Sequence, residues 1–403
     1  MFRKMFLVLF CIPMVVCAGV KVSGTIKEIK IEGLNFSEVP VDKVNVKFFG
    51  TSLTAETNAN GQFTLENVPA CSLAGIKMTK TGYKTTYTPI LGVGENDVSD
   101  VTCFIFTTEM YNNRIQGGSA PGHTPGKGDI VGVVTDTEGG CLAGAAVQAA
   151  YLDTGQPAGT IKYFTATFSP GSSDNTSVNG FFAIYNVEPG RPVVIKGIKS
   201  GTFFSSCIAE VYPDCLTLTQ VTEVSKTIDV SGVVFTEADD KEDPLQGVDI
   251  TLPGLSISAV SNQDGAFLLQ GLPLKSLAVL KVVKTGYMDI YLYGYIDDSQ
   301  DDEEDEEADI EVFMVSNEMV EGLENEVGEA QQADKGAILI DSEIKGVEIR
   351  LYNDEGVRIS PISAYYDEED GSFNPALTAT VPDGSCLIMN IDPGYYYLTG
   401  YKQ

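Results

Sequence analysis

The 403-residue chain contains one histidine, His123, and no tryptophan. Histidine-built zinc sites, Ser-His-Asp triads and Cys-His pairs cannot be assembled from one histidine within a chain, which excludes most hydrolase chemistry. Basic residues are scarce as well: 26 Lys and Arg stand against 56 Asp and Glu, for a formal net charge of −30. With no Lys/Arg cluster to neutralise phosphate, a nucleic-acid partner is excluded and anionic lipid repels the chain. Long apolar runs are the third shortage. No stretch after the N-terminus approaches the ~20 apolar residues of a spanning helix, so no membrane span is expected. What is present is a hydrophobic content of 43%, enough for a core in each of roughly two to four domains.

The N-terminus carries an export pattern. Arg3 and Lys4 precede an apolar run from Met5 to Val16, and Val16-Cys17-Ala18 supplies a small-residue cleavage site. Residues 1–18 are therefore expected to be a removed signal peptide, leaving a secreted, cell-surface or periplasmic protein. Acylation at Cys17, which would make a lipoprotein, fits less well, because Val16 stands where such signals carry a small residue. Cys11 and Cys17 leave with the signal, and the other six of eight cysteines face an oxidising compartment.

The mature chain is a repeat. Four segments align, the second and fourth with one extra residue before the closing proline: Gly61 to Pro69, Gly180 to Pro189, Gly265 to Pro273 and Gly384 to Pro393. Each reads as turn, strand, turn. In the first three a second glycine follows 21 residues later, at Gly82, Gly201 and Gly286. Upstream of each turn lies a period-2 apolar alternation, the mark of a half-buried strand: Val44/Val46/Phe48, Ala145/Val147, Val248/Ile250/Leu252 and Val347/Ile349/Leu351. The spacing from alternation to turn alternates short, long, short, long, and 265 − 61 and 384 − 180 both equal 204. The order is A-B-A′-B′, a two-domain unit duplicated whole. The expected boundaries are 1–18 signal peptide, 19–115 A, 116–128 Gly/Pro linker, 129–221 B, 222–320 A′ with an acidic loop at 297–309, 321–334 linker, and 335–403 B′. About 96 residues per domain suits a small all-β sandwich.

These residues resemble a known module. A first strand ending in Gly (Val22-Ser-Gly24, Val131-Gly132, Val230-Ser-Gly232) is followed by Pro244-Leu-Gln-Gly-Val248, Asp264-Gly-Ala-Phe267 and Lys284-Thr-Gly-Tyr287. The pattern resembles the carboxypeptidase regulatory-like domain, well in A and A′, fairly in B, partly in B′. The resemblance implies transthyretin-like, Ig-like β-sandwiches, tandem modules common in exported bacterial proteins. It implies no activity, because the metallopeptidase behind the name needs zinc-binding histidines that this chain lacks.

Candidate sites are few. Every position from Asp301 to Glu307 is a carboxylate, which offers oxygens for Ca²⁺ but without the ligand spacing and turn glycine of an ordered loop; a solvated loop is expected and no cofactor. Asp367-Glu-Glu-Asp-Gly371 reads as an acidic turn. Tyr291, Tyr293 and Tyr295 alternate along one strand and are expected to share a face, either as ordinary sheet packing or as a binding surface for a sugar or protein. Cys71 and Cys103 lie in A and are both absent from A′, as one disulfide would require; Cys207 and Cys215 bracket a Pro-Asp turn and could close a hairpin. Cys386 is expected as a buried thiol, Cys141 has no evident partner, and His123 reads as incidental. An internal Lys-Asn isopeptide bond needs a buried carboxylate that the strand from Ala74 to Thr79 lacks.

B continues through a closing strand near Asp214 to Thr219, whereas Gln403 follows B′ before any equivalent, so B′ is expected to present an open edge that a neighbouring subunit or partner strand could fill. The expectation is a non-enzymatic four-domain scaffold or adhesion protein with protein or cell-surface partners, with a glycan-binding accessory protein as the competing class. An enzyme would need paired carboxylates such as Asp240 and Asp243, for which the sequence offers no pocket.

Overall fold

The computed structural model describes residues 6–11, 19–32, 35–69, 72–94, 96–238, 241–296, 310–332, 335–342, 345–353, 356–367, 372–381 and 384–402. The described chain is all-β, with helical turns at Thr108–Met110 and Tyr111–Ile115 and a helix at Asn317–Val327. Contacts divide it into two units, one of Val16–Lys226 with Asp354–Val357 and one of Met1–Val15, Thr227–Asn353 and Arg358–Gln403.

One strand arrangement recurs within both units. A lead strand has an antiparallel neighbour on one side and a parallel closing strand on the other. In A, Val20–Glu32 pairs with Gln62–Val68 and with Val98–Phe104. In B, Gly128–Thr135 pairs with Phe181–Val187 and Leu216–Val224. In A′, Thr227–Ala238 pairs with Ala266–Pro273 and Ile310–Phe313. In B′, Gly336–Ser342 pairs with Gly384–Ile391, and its parallel partner is described below.

The apolar alternations point inward as a period of two requires. Val44, Val46, Phe48, Val248, Ile250, Leu252, Val347, Ile349 and Leu351 are all buried, while Asn45 between them is exposed. The turn glycines have a local reason. Gly61, Gly180 and Gly265 sit at φ of 72°, 68° and 72°, and a Cβ there would lie 2.5, 2.5 and 2.3 Å from the lead-strand carbonyls of Ile26, Val134 and Val234, so no other residue fits the turn.

A hydroxyl pins the start of each inner strand. Thr57, Thr176, Ser261 and Thr380 accept from the backbone N–H of Val44, Ala145, Val248 and Val347 at 2.9 to 3.0 Å. In B and B′ a tyrosine adds a second pin: the hydroxyls of Tyr163 and Tyr365 accept from Val147 and Ile349 at 2.7 and 2.8 Å. Buried backbone donors need such partners; the Thr/Ser hydroxyls recur at the 204-residue offset of the glycines, whereas the two tyrosines are 202 residues apart.

One expected linker is partly structured. Residues 321–327, placed in a polar linker, belong to the helix Asn317–Val327, which Ser316 caps by accepting from Met319 N at 3.1 Å and Gly328 ends at φ 74°. The polar composition hid an amphipathic stripe: Val320 and Val327 are buried on one face.

Candidate functional site

The distinctive geometry of this protein is the joint inside each unit, where one strand serves two modules. In the first unit Leu216–Val224 runs parallel to the lead strand Gly128–Thr135, from Asp129 opposite Leu216 to Thr135 opposite Thr222. Its other edge pairs in parallel with Thr86–Tyr87 of the preceding module, Leu216 opposite Thr86 and Thr217 opposite Tyr87. One sheet therefore continues from Thr54–Glu56 to Thr160–Tyr163. Aromatic rings pack at the same place: Tyr87 stacks on Tyr212 with centroids 4.0 Å apart, and Phe49 leans on both.

The second unit has the same continuous sheet, from Ile257–Val260 to Ser372–Asn374, with a different strand in the middle. Phe6–Cys11 lies between Gly336–Ser342 and Asp289–Ile296, parallel to both, with Leu7 opposite Ala337 and Ile290, and Val8 opposite Ile338 and Tyr291. The segment expected to leave at export thus occupies the edge expected to be open.

Beside each joint the linker is tied to the sandwich by an asparagine. Asn186 and Asn390 lie at φ 57° and 58°, a left-handed conformation that asparagine tolerates better than most residues, at the end of the strand antiparallel to the lead. Asn186 accepts from Thr124 N at 2.7 Å and donates to Gly122 O at 2.9 Å. Asn390 accepts from Gln332 N at 2.7 Å and donates to Ala330 O at 3.1 Å. Lys127 with Glu188, and Lys335 with Asp392, close the outside of the two clamps.

The interiors of the clamps differ. In the first unit the Asp129 carboxylate is fully buried. It accepts from Asn186 N at 2.9 Å, from Gln116 Nε2 at 2.7 Å and from the Tyr111 hydroxyl, the satisfaction a buried charge requires. His123 bridges outward, with Nδ1 3.4 Å from Asp129 and Nε2 2.9 Å from Asp214. Burial, and then the Asp129 charge, push the Tyr111 hydroxyl well above the ordinary tyrosine range, so it stays a donor. The hydrogen bond from His123, with that from Gly126 N, holds Asp214 below the ordinary carboxylate value. His123, read as incidental from its glycine-rich surroundings, is half-buried and links the buried Asp129 to the exposed Asp214. In the second unit Gln331 does the work of both: its Oε1 accepts from Asn390 N at 3.2 Å and its Nε2 donates to Lys335 O at 3.1 Å.

Other candidates fall elsewhere. Tyr291 is buried, with the Lys281 ammonium 5.4 Å from its ring centre, whereas Tyr293 and Tyr295 are 37% and 53% exposed. Cys207 and Cys215 are separate thiols, which corrects the expected hairpin bridge. Ser206–Ala209 pairs with Val193–Ile198 in a three-stranded sheet, while Cys215 leads into the large sheet, so the two cysteines enter different layers; Cys207 Sγ meets the Thr219 hydroxyl at 2.8 Å. Burial pushes the thiols of Cys103 and Cys386 up to about 12 and that of Cys207 to about 11. Cys141 is an exposed thiol. Cys71, Asp240, the acidic run 301–307 and residues 368–371 lie outside the described residues. Among the described residues no group of three His, Cys, Asp or Glu is placed to hold a metal ion, and no helix is long and apolar enough to cross a membrane. A groove of about 830 Å³ in the first unit, lined by Ile29, Phe104, Val131, Phe181 and Leu218 among others, is a feature the sequence did not signal.

No family model and no curated protein matches the chain. Among solved structures, a streptococcal ancillary pilin is similar at 12% identity over 70% of this chain and 82% of that one, with a TM-score of 0.22. The shaft pilin SpaA of Lactobacillus rhamnosus GG shows 12% identity over 52% of this chain and 100% of its own, TM-score 0.18. A chain of a type II cohesin–X-dockerin complex from Acetivibrio cellulolyticus shows 23% identity over 22% of this chain and 58% of its own, TM-score 0.19.

Proposed function

We propose that this chain is an exported, non-enzymatic scaffold or adhesion protein of the cell surface or extracellular space, built of carboxypeptidase regulatory-like modules in the order A-B-A′-B′ and engaging protein or cell-surface partners. The observation that carries the proposal is the joint. A Gly/Pro linker alone makes a flexible hinge, whereas the linker between A and B is tied to the sandwich through Asn186 and one sheet crosses from A to B through Leu216–Val224. Stiffness between modules serves a spacer that holds end loops at a set distance, and loops on such frames are where contacts are made. The charge of −30 keeps copies soluble and apart.

The test is protease shaving of intact cells together with a comparison of partner or surface adhesion with and without the gene. Release of the protein from the surface and loss of adhesion on deletion are expected. Protection from the protease in intact cells, with adhesion unchanged by deletion, would remove the reading. The exposure of Tyr293 and Tyr295 favours a second reading, glycan binding; on it a soluble polysaccharide raises the melting temperature and Tyr295→Ala cancels the rise.

A further inference from the structure

The open side of A′ exposes different chemistry from that of A. In each module two strands end their sheets there, one from each layer: Thr54–Glu56 and Gln62–Val68 in A, Ile257–Val260 and Ala266–Pro273 in A′. The two strands of each pair lie against each other, and among the described residues each strand has a single strand partner. At the 204-residue offset, Glu56, Thr64 and Glu66 of A become Val260, Leu268 and Gln270 of A′. All of these positions are exposed, Val260 by 61% and Leu268 by 48%. Two carboxylates and a hydroxyl have given way to two apolar side chains and an amide. Charged side chains on a free edge keep it from pairing with another chain; A has that protection and A′ has lost it. The carboxylates that A′ gains, Asp249 for Asn45 and Asp264 for Asn60, lie one strand in, opposite Val260, and in the turn before Gly265.

The free edge of Ile257–Val260 matches a second copy of itself. Ser261 N donates to Val248 O on the paired side. Main-chain groups alternate between the two sides of an antiparallel strand, so Ile257 and Ala259 also face Asp249–Leu252, while Ser258 and Val260 turn their N–H and C=O to the free edge. A two-fold axis normal to the sheet at Ala259 sets Ser258 of each copy opposite Val260 of the other. Each such pair exchanges both hydrogen bonds, so every main-chain group on the two edges is satisfied. In A the same arrangement would make the Glu56 carboxylates of the two copies diagonal neighbours about 7 Å apart, where like charges repel. In A′ the corresponding neighbours are valines.

We propose that A′ carries a self-association edge, in which Ile257–Val260 pairs antiparallel with the same strand of a second copy of this chain. The inference goes beyond the scaffold reading and stands without it. The contact is small, so the pairing is transient, and it works against the charge of −30 on each copy.

The test is light scattering of the full chain over a concentration series reaching about 1 mM, with hydrogen exchange read at single amides. The weight-average mass should climb from one chain towards two, and added salt should move the rise to lower concentration by screening the repulsion. Where half of the chains are paired, the Ser258 and Val260 amides should exchange about twofold more slowly than in dilute solution, with Ile257 and Ala259 unchanged. Val260→Glu, which installs the residue that A carries there, should hold the chain monomeric without lowering its melting temperature. Val260→Thr, uncharged and a good strand former, should keep the rise. A mass of one chain at every concentration would overturn the proposal, as would a rise that Val260→Glu leaves unchanged.

Discussion

The two units solve one problem with different residues. In the first, the shared strand Leu216–Val224 comes from B itself, and the linker is held by a buried carboxylate with His123. In the second, the shared strand is Phe6–Cys11, and a neutral amide, Gln331, stands where the first has its buried carboxylate. A third difference lies between the same strands. Gly132 pairs with Phe182, as Gly24 does with Phe63 and Gly232 with Phe267, whereas B′ pairs Ile340 with Cys386. The Phe182 ring covers its glycine so closely that a Cβ on Gly132 would lie 2.3 Å from Cζ and 2.5 Å from the Thr219 methyl. Volume has moved from one strand to its neighbour. The comparison teaches that backbone register is kept while side chains exchange volume and charge in compensating sets, as close packing demands.

The largest effect should come from the shared strand of the first unit. Leu216 is fully buried, so Leu216→Ala should cost about 2–5 kcal/mol, read as an earlier urea transition of that unit. Leu7→Ala should move the second unit's transition instead; if it changes nothing in the full chain, the equivalence of the two strands is broken. Next is the glycine and ring pair. Gly132→Ile alone should cost about 1–3 kcal/mol by overpacking, and adding Phe182→Cys, which copies B′, should recover part of it. Strict additivity in that double-mutant cycle would show that the volumes do not compensate.

The clamp should come third. Asp129→Ala leaves the buried donors of Asn186, Gln116 and Tyr111 without their acceptor, at a cost of about 1–3 kcal/mol. Combining it with His123→Gln imitates B′ and should recover stability only if the glutamine reaches Asn186 N; the double variant is measured against each single one.

Much of this was legible before the fold was seen, and the division is physical. Turn glycines and alternating apolar residues repeat because each answers to a local constraint, φ or the two-residue period of a strand, so the all-β class could be read directly. The joint could not. Which strand pairs in parallel with a given edge depends on contacts between distant residues, and nothing local in Phe6–Cys11 distinguishes a strand from the apolar core of an export signal. The clamp hid for a related reason: Asp129 looks like a surface acid at the start of a strand, and only the αL turn at Asn186 brings a backbone donor to it. The expected bridge between Cys207 and Cys215 failed because sequence proximity suggested a hairpin, whereas the chain passes from one sheet layer to the other between them.

The smallest expected effect separates the units by pH. In the second, Glu348 meets Arg350 at 2.6 Å and Arg358 at 2.5 Å, and these partners, the Arg350 hydrogen bond first, hold its carboxyl at about 2, below its ordinary 4.5. A depressed folded-state value stabilises the fold above the unfolded value, and that contribution is lost as the pH falls from 4.5 towards 2. Asp214 of the first unit, held down from 3.8 by His123, acts with the same sign, but its window opens lower. Acid titration of thermal stability should therefore weaken the Glu348 site first. Glu348→Gln should flatten that slope, and added salt should shrink it because the pair is near the surface. An unchanged slope in Glu348→Gln would mean that the acid sensitivity of the second unit arises elsewhere.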